Sequence, residues 1–333
     1  MHLSHQPNRH VGRRLAVVVA VATAVLAGPV VQAEASPTQN GSIAFGRFDP
    51  ELGDSSIWIA NAEGREQRRL TTVPSFFSDW RPDGRGLVFD FVAKDGVHIS
   101  RIESDGTGER QLTFGAGIQE VPRYSPDGRE IIFDASSQQP DDPGFHTDIW
   151  LMAADGSHAR PVTSGGFDVE PVFSPNGRYI AFGRIVGATD PNNFSQHEAI
   201  YVARTDGTGL HQVVEPRAGL EHPRWSPDGQ FLTFNIAPDA IGAPGAGTIY
   251  AVRHDDHRLH IIRAADREWS FTKAVWSPKG DAILVVCHRN ATNTNNICRM
   301  NPATGEIDQV VAGSPSRPVN FPSWGPRPTK TRH

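Results

Sequence analysis

The stretch Trp225-Ser226-Pro227-Asp228-Gly229, followed by the alternating run Phe231-Leu232-Thr233-Phe234, decides how this chain folds. The same unit, an aromatic, then Ser-Pro-Asp-Gly or a variant, then a short β run, recurs along the sequence. It stands at Trp80-Arg81-Pro82-Asp83-Gly84, Tyr124-Ser125-Pro126-Asp127-Gly128, Phe173-Ser174-Pro175-Asn176-Gly177 and Trp276-Ser277-Pro278-Lys279-Gly280, with a shortened copy at Trp324-Gly325-Pro326. The aromatics are 44, 49, 52, 51 and 48 residues apart. That period is the length of one four-stranded blade with its loops.

Each copy continues in the same way. A second strand such as Glu130-Ile131-Ile132-Phe133 or Tyr179-Ile180-Ala181-Phe182 leads through a loop to a third, such as Asp148-Ile149-Trp150-Leu151 or Ala199-Ile200-Tyr201-Val202. The third strand ends at a tight turn, Asp105-Gly106, Asp155-Gly156 or Asp206-Gly207, where Gly accepts positive φ and Asp bonds its own turn backbone. A closing segment such as Gln111-Leu112-Thr113 completes the unit. At the ends, Asn40 to Phe45 matches a second strand without a first, and Phe321 to Trp324 a first strand without the rest. Joined, they complete one blade and remove the last open sheet edge. The expectation is an all-β, six-bladed β-propeller of four-stranded antiparallel blades over residues 36–326, closed by the N- and C-terminal strands in one blade.

The N-terminus carries a different pattern. Basic residues from His10 to Arg14, an apolar run from Leu15 to Gly28, and Ala33-Glu34-Ala35 read as a signal peptide over 1–35, and 327–333 as a short polar tail. A secreted or extracytoplasmic (cell envelope) protein follows, with no transmembrane segment in the mature chain. The net charge is −5 and no Lys/Arg-rich block appears, which argues against nucleic acid as a partner. A monomer is expected.

Chemistry is sparser than architecture. Cys287 and Cys298 are the only cysteines and fall on adjacent strands of one unit, where a disulfide and two separately buried thiols are both open. Asp79, Glu120, Glu170, Glu221, His222 and Asn320 precede the first-strand aromatics and crowd the expected mouth of a central channel. Converging carboxylates can hold Ca²⁺, another divalent cation or a cationic group. As solvated loop-end charges or partners of Arg123, Arg224 and Lys273 they hold nothing. The long polar loops from Gln138 to His146, Gly187 to His197, Ala237 to Gly247 and Arg289 to Asn296 should lie on the same face.

The Trp-Ser-Pro-Asp-Gly and Asp-Ile-Trp elements resemble those of the TolB-like propeller family, across about residues 40 to 326. That resemblance implies a rigid binding or scaffold module for a protein, peptide or glycan ligand at the channel-mouth face. Peptidase relatives carry a Gly-x-Ser-x-Gly elbow, which this sequence lacks. The alternative is a metal-assisted polysaccharide lyase or hydrolase using the same face, with His146, His197 and Asp190 as loop candidates.

Overall fold

The recurring turn explains itself atom by atom. In Ser226-Pro227-Asp228-Gly229 the Gly229 N–H donates to the Ser226 carbonyl at 2.8 Å, with Pro at the position where its fixed φ suits the turn. Ser226 Oγ donates to Asp228 Oδ1 at 2.5 Å and accepts the Phe231 N–H at 3.0 Å, while Asp228 Oδ1 accepts the Gln230 N–H. The copies at Ser125 and Ser174 repeat these bonds. The turn glycines have φ between 67° and 75°, which a residue with a Cβ adopts only under strain. Where Lys279 replaces the aspartate, Ser277 Oγ donates instead to Asp281.

The structure, a computed structural model, describes residues 40–138, 145–186, 197–237, 245–255 and 257–328. The expected signal peptide, most of the expected tail, Asp190 and parts of three long loops lie outside these residues. Strands β1 (Asn40–Asp49), β2 (Asp54–Ala60) and β3 (Arg68–Arg69) form an antiparallel meander, and the last strand, β24 (Val319–Pro326), pairs with β1 through Ile43↔Trp324 and Gly46↔Asn320. The next eight strands share one sheet made of two antiparallel meanders. The first is β4 (Ser75–Trp80), β5 (Gly86–Ala93), β6 (Gly96–Glu103) and β7 (Arg110–Gln111); the second is β8 (Gly117–Tyr124), β9 (Glu130–Ser136), β10 (Asp148–Ala153) and β11 (Arg160–Pro161). Their strand pairing to one another is a short parallel contact, Gly96↔Gly117 and Val97↔Ile118. A similar parallel bridge, Thr147↔Phe167, follows one meander later.

Three more antiparallel sheets complete the chain. They are β12 (Asp168–Phe173), β13 (Tyr179–Val186), β14 (His197–Arg204) and β15 (His211–Ala218); β16 (Leu220–Trp225), β17 (Phe231–Ile236), β18 (Ile249–Arg253) and β19 (Leu259–Arg263); and β20 (Trp269–Trp276), β21 (Ile283–Arg289), β22 (Thr294–Met300) and β23 (Ile307–Val311).

The middle of each second strand is mostly apolar because both of its faces are buried there. Ile131 and Phe133 pack toward the β4–β7 meander, while Ile132 between them packs toward β12–β15. Ile180 and Phe182 face back to β8–β11, and Ala181 forward to β16–β19. Leu284 and Val286 meet Ile43, Phe45 and Trp324, so the apolar contacts return to the first meander. Each fully buried phenylalanine of this set, such as Phe89 or Phe234, contributes about 1.5–3 kcal/mol. Cys287 and Cys298, both buried, bring their sulfurs into bonding contact across β21 and β22, with Cα atoms 5.8 Å apart.

Candidate functional site

The first strand of every meander, β4, β8, β12, β16, β20 and β24, carries the same irregularity. The register slips between the residue before the aromatic and the residue three or four earlier, for example between Glu221 and Arg224 or between Thr272 and Val275. The slip is a β-bulge, and proline follows the bulged residue at Pro122, Pro171, Pro223 and Pro322, where no ladder N–H is needed. The bulged residues Val121, Glu170, His222, Lys273 and Phe321 have φ of 47–59°, a left-handed conformation costing about 1–3 kcal/mol each.

Side-chain oxygens accept the N–H groups of four of these residues, Val121, His222, Lys273 and Phe321. Asp90, on β5, accepts the N–H groups of Phe76, Phe77 and, from the neighbouring meander, Val121. Asn235 holds the same place on β17: its Oδ1 accepts the Lys273 N–H and its Nδ2 donates to Glu221 Oε1, each within 2.9 Å. Glu170 Oε2 accepts the His222 N–H at 2.5 Å, and its Oε1 lies 2.6 Å from His222 Nδ1. On β13 the matching position is Gly183, and the Glu198 carboxylate from β14 fills the room a Cβ would need.

The result is an acidic group of buried Asp90 and Asp134 with half-buried Glu120, Glu170 and Glu198, beside Glu221. Burial pushes Asp90 up to about 6 against its three backbone donors. Glu120 rises to about 7, from burial first and then the charges of Asp90 and Glu170. Asp134 and Glu198 rise well above the carboxylate range for the same reasons, and each keeps one buried oxygen without a hydrogen-bond partner, Asp134 Oδ1 and Glu198 Oε1. Glu170 goes the other way. Burial opposes its charge, but His222 and then Arg224 outweigh it and hold Glu170 below the usual range.

A second level is set by the residues that immediately precede the aromatics: Asp79, Arg123, Val172, Arg224, Val275 and Ser323. One from each first strand, they line a single cavity of about 200 Å³. Asp79 Oδ2 accepts the Tyr124 N–H at 2.9 Å, and burial raises its carboxyl against the nearby Arg123 and Arg224. An adjoining pocket shares both arginines and adds His222, Lys273, Phe77 and Phe321. Phe77 and Phe321 are 4.2 Å apart between ring centroids, and Lys273 Nζ lies 4.7 Å over the Phe321 ring.

The structure divides the six residues expected to crowd the channel mouth. Glu120, Glu170, Glu221 and His222 come together. Asp79 belongs to the arginine level, and Asn320 Oδ1 accepts the N–H of its own neighbour Phe321. Among the described residues no three His, Cys, Asp or Glu are grouped to hold a metal ion. His146 is half-exposed beside Asp148, at 3.6 Å, and His197 is exposed at the start of β14. Asp90, Asp134 and Glu198 were missed. The first two follow the phenylalanine that ends each second-strand run, Phe89-Asp90 and Phe133-Asp134, with Phe234-Asn235 in register, a signal readable from sequence alone.

Antiparallel four-stranded meanders that each send a first strand to one shared cavity define the class of protein: this chain is an all-β propeller. Residues 36–194 match the family described as the TolB beta propeller domain. Among solved structures, TolB from Acinetobacter baumannii is similar, with 17% identity and a TM-score of 0.69 over 86% of this chain and 67% of that one. An oligogalacturonate lyase in complex with manganese shares the fold at 15% identity and a TM-score of 0.54, over 82% and 74% of the two chains. A curated relative, the uncharacterized protein Atu1656 of Agrobacterium fabrum, is 28% identical over 189 residues, 55% of this chain and 62% of that protein. The chain covers less than two thirds of the length of the curated relatives it matches.

Proposed function

We propose that this protein is an exported, six-bladed TolB-like propeller that binds a protein, peptide or glycan on the face where its charged axis opens. The observation that carries the reading is that six first strands each send a residue to one shared cavity, Asp79, Arg123 and Arg224 among them, beside a group of buried and half-buried carboxylates. Structural cores do not need such groups, whose burial is costly unless a partner compensates it. The six-blade count is supported by the apolar clusters that link each meander to the next and by the pairing of β24 with β1. Export to an extracytoplasmic compartment is supported by the basic, apolar and small-residue pattern of residues 1–35.

A metal-assisted lyase or hydrolase at the same face is the second reading. Its support is the fold shared with the manganese-bound lyase, a likeness of fold alone. The binding reading rests on side chains of this chain and is preferred.

The test is site-specific photo-cross-linking in the native producing cells. A benzophenone amino acid replaces Lys273 at the axial opening or, as a control, Ile261, which is 62% exposed on the outer strand β19. Adducts to a discrete partner from position 273 and not from 261 are expected. Adducts only from 261 would place the binding surface on the rim and refute the axial reading.

A further inference from the structure

The arginine level has a charge imbalance that the binding reading does not explain. Among the residues lining its two adjoining cavities, Arg123, Arg224 and Lys273 carry positive charge and Asp79 is the one carboxylate. Asp79 already accepts a backbone N–H. Glu170, the other acid acting on Arg224, is committed to His222. Arg123 is 7% exposed, donates one Nη1 bond to the Ser78 carbonyl, and leaves its Nε–H buried without a partner. Arg224 donates Nη1 to the Pro223 carbonyl at 2.7 Å. Burial, with the opposing charge of Arg123, pushes Arg224 down to about 9.

A buried guanidinium with an unanswered N–H beside a half-buried one is an arrangement that a bound anion relieves. We infer that the cavity between Arg123 and Arg224 is a binding site for a single carboxylate group. A guanidinium presents parallel donors matched to the two oxygens of a carboxylate. Arg123, Arg224 and Lys273 against Asp79 leave an excess of positive charge, which a bound anion offsets. Part of the remaining wall, Val172, Phe173, Val275 and Pro322, is apolar and suits a short alkyl stem, and about 200 Å³ accommodates a carboxylate with two or three carbons. The inference rests on reading the axis as the binding face, but its test uses a small molecule and is separate from cross-linking.

The experiment titrates the purified chain with sodium propionate by isothermal calorimetry and by thermal melting, against sodium chloride and sodium phosphate at matched ionic strength. The expected result is saturable binding of one propionate per chain, with a melting midpoint raised by several degrees at saturation and little change in chloride. Arg123→Gln should weaken propionate at least tenfold. If that variant does not fold, Arg224→Gln and the wild-type calorimetry decide. No saturable propionate binding, a shift equal to that in chloride, a preference for phosphate, or undiminished affinity in a folded variant would each overturn the assignment. If propionate binds but cross-linking at position 273 fails, the carboxylate site stands and the macromolecular reading falls.

Discussion

Replacing Asp90 by Asn should make this protein more stable at high pH and leave it nearly unchanged at low pH. The Asp90 carboxyl is 1% exposed and accepts three backbone N–H groups, yet burial still lifts it from an ordinary value near 3.8 to about 6. A carboxyl raised on folding contributes stability that is fully present below its unfolded pKa and is lost as pH rises through the folded one. About two pKa units correspond to roughly 3 kcal/mol lost by the wild type between pH 4 and pH 8. Asn keeps the shape and one acceptor but turns an NH₂ toward a backbone donor, at a cost of about 1 kcal/mol. The protonated wild-type side chain has a similar conflict at pH 4, so the two proteins should be within about 1 kcal/mol there. By pH 8 the variant should lead by about 2 kcal/mol on the same linkage. The change also removes one of the charges that lift Glu120 to about 7, so the variant's own pH dependence should be shallower. Urea unfolding followed by tryptophan fluorescence at pH 4.5, 6 and 8 measures the difference directly. A difference that does not vary with pH, or one that favours the wild type more as pH rises, would refute the account of the axial carboxyls.

Three further outcomes follow from particular contacts. Exchanging both Cys287 and Cys298 for Ser should cost about 3 kcal/mol by the loop-closure relation, and dithiothreitol should lower the wild-type melting point but not the variant's. Ser226→Ala removes a bond to Asp228 and the acceptor of the Phe231 N–H, and should cost about 1–3 kcal/mol in chemical denaturation. Gly183→Ala places a methyl where the Glu198 carboxylate sits, so that carboxylate must move. Its titration, followed by carbon NMR, should fall toward the ordinary glutamate range, and an unchanged Glu198 signal would show that the cradle had been misread.

The architecture was legible because its residues act locally. Ser226, Pro227, Asp228 and Gly229 bond to one another, so their order alone announces the turn, and the period of that turn announces the meanders. The gathering of Glu120, Glu170, Glu221 and His222 was legible for the same reason, since each sits three or four residues before a repeated aromatic. Asp79 is the exception: it stands one residue before Trp80 where Glu120 stands four before Tyr124, so counting back from the aromatic places it beside Arg123. Glu198 was hidden more deeply. It reaches the acidic group from a third strand, over a glycine on the second, and only the register Ile185↔Glu198 beside Val169↔Gly183 reveals it.

Site and function both depend on the ring being closed, because the shared cavity takes one residue from each of six first strands, β24 included. Native-state hydrogen exchange of the β1 and β24 amides tests that closure most directly. The paired segments Ile43 to Arg47 and Val319 to Trp324 should exchange as slowly as the second strands, Ile131 to Phe133 and Ile180 to Phe182, through global unfolding alone. If the β1 and β24 amides instead exchange together and orders of magnitude faster while the second strands stay protected, the ring opens at that seam and the axial site is not the preformed one described above.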